Sequence, residues 1–261
     1  MIEAEALALD VGEPARRIAV LRRSGTGPGL VWLGGFRSDM TGGKAQAVDG
    51  FGAARGLGVT RFDYSGHGAS SGRFEDGTIS QWLEDSLAVF ERATQGTQIL
   101  IGSSMGGWMS LLLARAHLAA VGRAASRIKG IVLIAPAPDF TEALIWANLP
   151  EAARREIEEK GAWMRPSEYA PGPYPITRAL IEDGRRHLLL GGEIETGCPV
   201  HVLQGMQDVD VPWSHAMRTV ERIGRDDVTV TLIKDGDHRL SRDQDIAVLL
   251  RVIEAMVANI A

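Results

Sequence analysis

The sequence predicts an α/β fold in which a mostly parallel sheet of roughly eight strands is flanked by helices. One observation is that short apolar runs alternate with longer amphipathic ones, as in strands joined by helical crossovers. Another is that glycine-rich or polar loops follow the apolar runs, at the edge where such sheets collect ligands. The stretch 139–192 is too long for a plain crossover and predicts an inserted helical cap.

Length and composition favour one globular domain over residues 1–261. Hydrophobic residues make up 45% and charged residues 23%, which argues against disorder. The net charge of -5 gives no electrostatic support for nucleic acid or an anionic membrane as a partner. No apolar run reaches membrane-spanning length, no signal peptide is recognisable, and the single Cys198 cannot form an internal disulfide. We therefore expect a cytoplasmic protein.

The chain opens with two weakly alternating runs, Leu7–Val11 and Arg17–Arg22, which predict antiparallel edge strands. The run Leu30–Leu33 predicts the first core strand, and the glycine-rich loop Gly34–Gly43 follows it. Glycines at this place let the backbone approach a substrate carbonyl, so we expect the N–H of Phe36 to be an oxyanion donor. A turn that only connects two elements is the alternative.

Charged and polar residues also lie within this loop. Arg37 is a candidate contact for a polar substrate group, although solvated loop charges are more common. A predicted helix, Lys44–Gly56, and a predicted strand, Val59–Asp63, come next. His67 stands between two glycines in a turn, which favours a loop-shaping residue over a catalytic base. The amphipathic helix Ile79–Thr94 completes another β-α-β step.

The change from strand to helix at Ser104 is the most informative motif. Residues 102–106 read G-S-S-M-G, a G-x-S-x-G pattern between the strand Gln98–Ile101 and a helix from Gly107 to about Arg115. A serine in such a turn has strained backbone angles, and the flanking glycines avoid a collision. Ser104 is thus the candidate nucleophile, with the N–H of Met105 as an oxyanion donor. A structural turn or an anion-binding loop is the alternative, but no Walker lysine follows.

The insertion follows the predicted strand Ile131–Pro136. We expect helices over 141–149, 151–164 and 176–190, with a proline-rich bend over 166–175. Its large apolar residues form either a wall over the site or only the packing between the insertion and the sheet. These residues are Trp146, Trp163, Met164 and Tyr174. Trp146 and Trp163, with Trp108 of the helix after Ser104, are candidate substrate contacts.

An acid is needed on a strand-end loop to orient an imidazole. The predicted strand Pro199–Gln204 leads to a loop that contains Asp208 and Asp210. We favour Asp208 as the triad acid because the following Val-Pro pair looks packed and leaves the nearer aspartate on the crest of the loop. Asp139, after the preceding strand, is a more distant alternative.

The candidate base is His238, which follows the β-branched strand Val228–Ile233 and precedes a predicted helix, Gln244–Ile260. From that loop its imidazole can reach Ser104 on one side and Asp208 on the other. A solvated loop histidine is the alternative. Most of the other histidines fall inside predicted regular elements: His117, His187, His201 and His215.

The order Ser104, Asp208, His238 on successive strand-end loops, behind Gly34-Gly35-Phe36, resembles the α/β-hydrolase family over nearly the whole chain. Residues 205–212 (G-x-x-D-x-x-V-P) look like the acid loop of that family. Residues 236–238 (G-D-H) look like its histidine loop. Residues 63–70 (D-x-x-G-x-G-x-S) match one of its common structural turns.

Within the family, residues 35–40 with Lys44-Ala45, and residues 103–108, look most like the short branch that contains the mitochondrial palmitoyl-protein thioesterase and its bacterial relatives. The resemblance implies hydrolysis of acyl thioesters or acyl-glucuronide esters. Two departures stand out. Gly34 occupies the position where many members carry histidine, which leaves the backbone donor intact. No mitochondrial transit segment is recognisable, which favours a bacterial-type cytoplasmic protein.

Together these patterns predict a serine hydrolase that cleaves a small-molecule acyl ester or thioester through a covalent acyl-enzyme. No cofactor or metal is expected. The same triad would also serve a serine aminopeptidase or a C–C hydrolase, and a binding module without turnover is the alternative from another class. The sequence does not specify the acyl chain length, the oligomeric state or whether the cap moves.

Overall fold

The computed structural model of the protein describes residues 4–166 and 172–260. The strands in these residues are β1 (Glu5–Val11), β2 (Arg16–Arg23), β3 (Thr26–Leu33), β4 (Leu57–Phe62), β5 (Gln98–Ser103), β6 (Ile128–Ile134), β7 (Ala162–Arg165), β8 (Tyr174–Thr177), β9 (Val200–Gly205) and β10 (Val228–Ile233). The α-helices are α1 (Gly43–Arg55), α2 (Ile79–Ala93), α3 (Met105–Ala125), α4 (Glu151–Lys160), α5 (Arg178–Gly184), α6 (Trp213–Arg222) and α7 (Asp243–Ile260).

The main sheet has eight strands in the order β1-β2-β4-β3-β5-β6-β9-β10. The six strands from β4 to β10 in this order run parallel, whereas β1 pairs antiparallel with β2, and β2 antiparallel with β4. The predicted fold class is therefore confirmed. One detail is wrong: β2 lies between β1 and β4, so only β1 is an edge strand at this end.

Alternation along the central strands divides the core into two layers. Leu100 of β5 belongs to an apolar cluster with α2 and α3, while Ile99 and Ile101 belong to a second cluster with α1 and α7. A strand that is buried on both faces reads as a continuous apolar run, which is the pattern of β5. Because the central strands are parallel, the loops after β3, β5, β9 and β10 open at the same edge of the sheet.

The segment 139–192 differs from its prediction. Residues 141–148 form a π-helical turn and a short 3-10 helix rather than one α-helix. Helix α4 ends at Lys160 because Gly161 adopts a left-handed conformation, with φ of 86°. The chain then forms β7, which pairs antiparallel with β8. The predicted helix over 151–164 is therefore wrong at its end, where it enters β7, and the one over 176–190 begins within β8 and extends beyond the end of α5 at Gly184. Part of the predicted bend over 166–175 lies outside the described residues.

The two ends of this segment are joined by a buried carboxylate. Asp139 Oδ1 accepts the N–H of Leu189 at 2.7 Å, and its Oδ2 accepts the N–H of Leu190 at 2.9 Å. Burial raises the pKa of Asp139, and the two N–H donors oppose that shift. Asp139 therefore closes the base of the segment, and the role of this segment as a cap over the site stays a prediction.

Across residues 4–166 and 172–260, no helix combines the length and the apolar character that crossing a bilayer requires.

Candidate active site

Ser104 occupies a strained turn between β5 and α3. Its backbone angles, φ 56° and ψ -117°, lie in a region that side-chain-bearing residues rarely adopt. Its N–H donates to the carbonyl of Ile134 at 2.8 Å, and its own carbonyl accepts the N–H of Ala137 at 3.1 Å. These bonds to β6 and the residues after it hold the strained geometry.

Two glycines make this turn sterically possible. A Cβ on Gly106 would overlap the carbonyl oxygens of Leu33 and Gly34, at the end of β3. A Cβ on Gly102 would overlap the carbonyl oxygen of Gly106 and the hydroxyl of Ser110. The G-x-S-x-G spacing thus reflects close backbone approaches on both sides of the serine.

The structure brings the three predicted polar side chains into one hydrogen-bonded chain. His238 Nε2 lies 3.1 Å from Ser104 Oγ, and His238 Nδ1 lies 2.8 Å from Asp208 Oδ2. The side chain of Asp208 is fully buried, and that of His238 is 19% exposed. A carboxylate at Nδ1 favours the tautomer with a proton on that nitrogen, which leaves Nε2 free to accept the Ser104 proton.

Both carboxylate oxygens of Asp208 accept hydrogen bonds. Oδ1 accepts the backbone N–H groups of Asp210 at 3.0 Å and Val211 at 2.8 Å. Oδ2 accepts Gln204 Nε2 at 3.1 Å in addition to His238. Asp210, the sequence-level rival, thus contributes a backbone donor to Asp208. Gln204 was missed by sequence reasoning; its signal is a polar side chain at the buried end of the apolar strand β9.

Asp208, Asp210 and His238 also present possible metal-ligand atoms within 4.8 Å of one another. In the described residues the oxygens of Asp208 already accept four N–H donors, one of them from His238. This hydrogen bonding is itself a sufficient physical reason for the three groups to lie close together.

The two predicted oxyanion donors flank Ser104. Met105 is the first residue of α3, where helical N–H groups lack intrahelical acceptors. Phe36 follows Gly35, which lies against the turn at Ser104: a Cβ on Gly35 would lie 3.3 Å from the Ser103 carbonyl oxygen and 3.5 Å from the Ser104 Cβ. Within the described parts of the chain, neither the Phe36 N–H nor the Met105 N–H has a protein acceptor. Two unpaired donors beside a serine can hold a developing negative charge.

A cavity of about 700 Å³ opens over Ser104. Apolar side chains form part of its wall: Phe36, Trp163, Tyr174 and Val209. Its described residues also include four basic side chains and two acidic ones: Arg37, Lys44, Arg165, Arg239, Asp39 and Asp210. Counted over its described residues, the cavity therefore combines an apolar surface with more basic than acidic side chains.

Four predicted substrate contacts separate into two pairs. Arg37 and Trp163 line the cavity. Trp108 is fully buried on α3, with its ring 5.6 Å from that of Phe140, and Trp146 packs against the guanidinium groups of two arginines. Neither is among the described residues that form the cavity wall, so the prediction that they contact substrate is not supported. Trp108 packs between α3 and Phe140, and Trp146 packs against two arginines of its own segment, 139–192.

Two cations of the wall have defined environments. The Arg37 guanidinium lies 4.2 Å from the centroid of the Tyr174 ring, a cation–π contact that joins the loop after β3 to the insertion. Lys44 Nζ donates to the carbonyl of Arg239 and lies 3.4 Å from Ser241 Oγ. Burial lowers the pKa of Lys44 to about 8, and the neighbouring positive charge of Arg239 acts in the same direction.

Comparisons with known proteins agree with this geometry. A model described as the alpha/beta hydrolase family matches residues 25–251. The mitochondrial palmitoyl-protein thioesterase of Mus musculus is 37% identical over 245 residues, which cover 94% of this chain and 80% of that protein. Its Homo sapiens counterpart is 35% identical over 245 residues, covering 94% and 78%.

Solved structures show the same similarity. The crystal structure of an Agrobacterium vitis protein assigned as a hydrolase has a TM-score of 0.93 and 50% identity, covering 98% of this chain and all 100% of that one. The mouse alpha/beta hydrolase domain-containing protein 10 has a TM-score of 0.87 and 35% identity, covering 99% and 100%.

Proposed function

Because the chain belongs to the α/β-hydrolase family, we propose that it is a serine hydrolase that cleaves carboxylic esters or acyl thioesters through a covalent acyl-enzyme. The observation that carries the proposal is the continuous hydrogen-bonded chain from Ser104 through His238 to Asp208. In this proposal Ser104 is the nucleophile, His238 the general base and Asp208 the acid that orients the imidazole.

In the acylation step, His238 Nε2 takes the proton of Ser104 Oγ as the oxygen attacks the substrate carbonyl. Asp208 keeps the other imidazole proton on Nδ1 and stabilises the imidazolium that forms. The resulting oxyanion accepts hydrogen bonds from the N–H groups of Phe36 and Met105. When the tetrahedral intermediate collapses, His238 returns the proton to the leaving alcohol or thiol.

Deacylation repeats these steps with water as the nucleophile. His238 takes a proton from the water molecule, and the hydroxide adds to the acyl carbonyl. The carbon–oxygen bond to Ser104 then breaks, Oγ recovers its proton from His238, and a carboxylic acid leaves. The groups of this chain that take part are the same in both steps: Ser104, His238, Asp208 and the two backbone donors.

The cavity favours an acyl chain as the group beside Ser104. Phe36, Trp163 and Tyr174 offer apolar surface, which recognises hydrocarbon through burial. Two curated relatives are named palmitoyl-protein thioesterases, which supports a thioester of a long acyl chain as the preferred substrate. A serine aminopeptidase needs acidic groups for the free amine of its substrate, and here basic side chains outnumber acidic ones in the described wall.

We also propose that the protein is located in the cytoplasm. The one cysteine, Cys198, is buried and has no disulfide partner within the chain, and burial raises the pKa of its thiol to about 12, which fits a reducing compartment. The curated relatives are mitochondrial by name. Fractionation of the source cells, with an antibody to the protein, tests the proposal.

The test of the proposed function is a rate comparison on p-nitrophenyl esters of increasing acyl length and on acyl thioesters of the same lengths. We expect turnover with the wild-type protein, a higher kcat/KM for longer chains and for thioesters, and no turnover above background with Ser104→Ala. Equal turnover by the wild-type and Ser104→Ala proteins would contradict the mechanism. Labelling of Ser104 by a fluorophosphonate without turnover of any acyl compound would contradict the substrate class alone.

A further inference from the structure

We propose that His67 is a positioning residue that fixes the oxyanion loop, defined here as residues 34–41, so that the Phe36 N–H is directed toward the Ser104 site. The inference rests on the proposed function, since it assigns a task to the loop that carries one of the two donors. It gives His67 no direct contact with substrate.

Both ring nitrogens of His67 are engaged in the protein. His67 Nε2 accepts the backbone N–H of Arg37 at 3.2 Å. His67 Nδ1 lies 3.2 Å from the carbonyl oxygen of Ser65, to which it donates its proton. The two contacts together select the neutral tautomer with hydrogen on Nδ1. A histidine with both nitrogens occupied in this way is unsuited to act as a general base for Ser104.

The imidazole is enclosed by aromatic rings. Its centroid lies 5.2 Å from that of Trp82, 5.3 Å from that of Phe74 and 5.7 Å from that of Tyr64, each in an edge-to-face arrangement. His67 is only 4% exposed, and burial lowers its pKa to about 4. The ring therefore stays neutral near pH 7, and Nε2 stays an acceptor for the Arg37 N–H.

The contact with Arg37 fixes the peptide group directly after Phe36. Arg37 has a positive φ of 60°, a conformation that costs free energy in a residue with a side chain and needs support from its surroundings. The hydrogen bond to His67 supplies that support at the adjacent N–H. Because this peptide group is bonded to the Cα of Phe36, holding it restricts the backbone rotation at Phe36 and so helps to keep the direction of the Phe36 N–H.

Two further contacts show that the turn after β4 is the platform of the oxyanion loop. Tyr64 donates its hydroxyl to the carbonyl of Gly34 at 3.3 Å, and Asp63 Oδ1 accepts the N–H of Met40 at 2.7 Å. These bonds hold the two ends of the loop. Within the loop, Ser38 donates its N–H at 3.1 Å and its hydroxyl at 2.7 Å to the Gly35 carbonyl, which shares a peptide group with the Phe36 N–H. His67 holds the next peptide group from outside the loop, between the two end contacts.

The test compares His67→Asn with His67→Gln. The amide of asparagine reaches the place of Nδ1 and retains the Ser65 contact, whereas the longer glutamine places an amide oxygen near Nε2 and retains the acceptor for Arg37. We expect kcat of His67→Asn to fall about tenfold with KM within twofold of wild type, since oxyanion stabilisation acts in the transition state. His67→Gln should recover kcat to within about threefold of wild type.

A second readout measures the oxyanion site itself. Ser104 Oγ adds to the carbonyl carbon of an acyl trifluoromethyl ketone. The Ser104 proton moves to His238, and the ketone oxygen becomes an oxyanion. Its inhibition constant should rise by about the same factor as kcat falls in His67→Asn, which a merely structural role would not produce. Fluorophosphonate titration gives the active fraction, to which all rates are normalised. If His67→Asn does not fold, His67→Phe keeps the aromatic packing, removes the acceptor and should show the same fall in kcat.

Equal kcat in wild type and in the folded variant that lacks the acceptor would overturn the inference while leaving the serine mechanism intact. Equal losses in His67→Asn and His67→Gln, with unchanged trifluoromethyl ketone binding, would also overturn it. Failure of the proposed function is distinguishable, because it would appear in the wild-type protein as a lack of turnover or as activity that survives Ser104→Ala.

Discussion

The strand-end loops of the sheet and the segment 139–192, which we predict to be an insertion, are built on different constraints. In the loops, backbone contacts decide which residue each position accepts: Ser104 has a strained φ, and Gly106 lies against the end of β3. The insertion is held by apolar packing and by a carboxylate that joins its two ends. Local constraints leave a pattern in the sequence, whereas packing between distant residues leaves little.

The same difference suggests a division of tasks. In our account the loops carry out the bond-breaking steps, and the insertion supplies side chains such as Trp163 and Tyr174 that contact the acyl chain. Substitutions in the loops should therefore lower the rate on every substrate. Substitutions in the insertion should change which substrate is preferred and have less effect on the chemistry.

The largest effect is expected for Ser104→Ala, which removes the nucleophile. We expect kcat to fall by on the order of 10³-fold or more on both short and long acyl esters. Steady-state kinetics on the two substrate lengths measure this, with circular dichroism as the control for folding. A loss of kcat restricted to long acyl chains would mean that Ser104 recognises the acyl chain, and would contradict the division of tasks between the loops and the insertion.

A loss of kcat on the order of 10³-fold is also expected for Asp208→Asn. An amide does not hold the imidazole in the tautomer with the proton on Nδ1, as the carboxylate does by accepting the Nδ1–H hydrogen bond. The matched control is Asp210→Asn, which retains the backbone N–H given to Asp208 and should lose less than about tenfold. Rates on a short ester compare the two variants. A greater loss in Asp210→Asn than in Asp208→Asn would reverse their assigned roles.

His67, which is buried beneath the oxyanion loop, should make the free energy of unfolding depend on pH. The pKa of His67 is lowered to about 4 in the folded state, against about 6.5 in the unfolded chain. Between these values His67 binds a proton in the unfolded state but not in the folded state. Its contribution to the free energy of unfolding is therefore fully present above pH 6.5 and is lost as the pH falls toward 4. The contribution is about 3 kcal/mol.

Urea unfolding of wild type and His67→Gln at pH 7 and near pH 4 isolates this contribution. Glutamine does not titrate, so the variant should lose about 3 kcal/mol less than wild type over the interval. Identical losses in the two proteins would show that His67 is not the group responsible.

A smaller loss of stability is expected when the base of the insertion is loosened. Asp139→Asn keeps one oxygen acceptor and places an amide N–H₂ against the backbone N–H that the second oxygen accepted. We expect the free energy of unfolding to fall by about 1–3 kcal/mol. Chemical denaturation measures it, and kcat on a short ester should change less than about threefold because the residues around Ser104 are untouched. A loss of kcat comparable to that of Asp208→Asn would show that the insertion takes part in the chemistry.

The sharpest effect on selectivity should come from Trp163→Ala. Loss of this apolar wall should lower kcat/KM for long acyl chains by about tenfold and leave short esters nearly unchanged. Trp146→Ala is the control, since Trp146 packs within the insertion against Arg154 and Arg185. A series of p-nitrophenyl esters compares the two variants. Parallel chain-length profiles in both would mean that Trp163 does not contact the acyl chain.

The parts of the molecule that could be predicted from the sequence are mainly the loops, where the constraints are local. The turn at Ser104 could be located because its glycines and its change of periodicity are local signals. Asp208 and His238 could be located because parallel strands bring their carboxyl ends to one edge. The pairing of β7 with β8 was missed, since the turn at Gly161 ends a helix whose apolar pattern continues beyond it.

The side chains whose roles depend on distant partners were harder to assign. Asp139 was a distant candidate for the acid, and only the position of Leu189 and Leu190 reveals its task at the base of the insertion. Trp108 was expected at the substrate because it follows the nucleophile closely in sequence. The structure instead buries its ring completely against Phe140, because this turn of α3 faces the core.

The central claim is that Ser104 carries the acyl group during turnover. Its most direct test is rapid mixing of the protein with a long-chain acyl thioester, acid quenching, and mass spectrometry of the intact chain and of its peptides. We predict a transient increase equal to the mass of the acyl group, located on the peptide that contains Ser104, and no increase in Ser104→Ala. Turnover of the thioester with no acyl group on Ser104 at any time, or an acyl group on another residue in both proteins, would contradict the account.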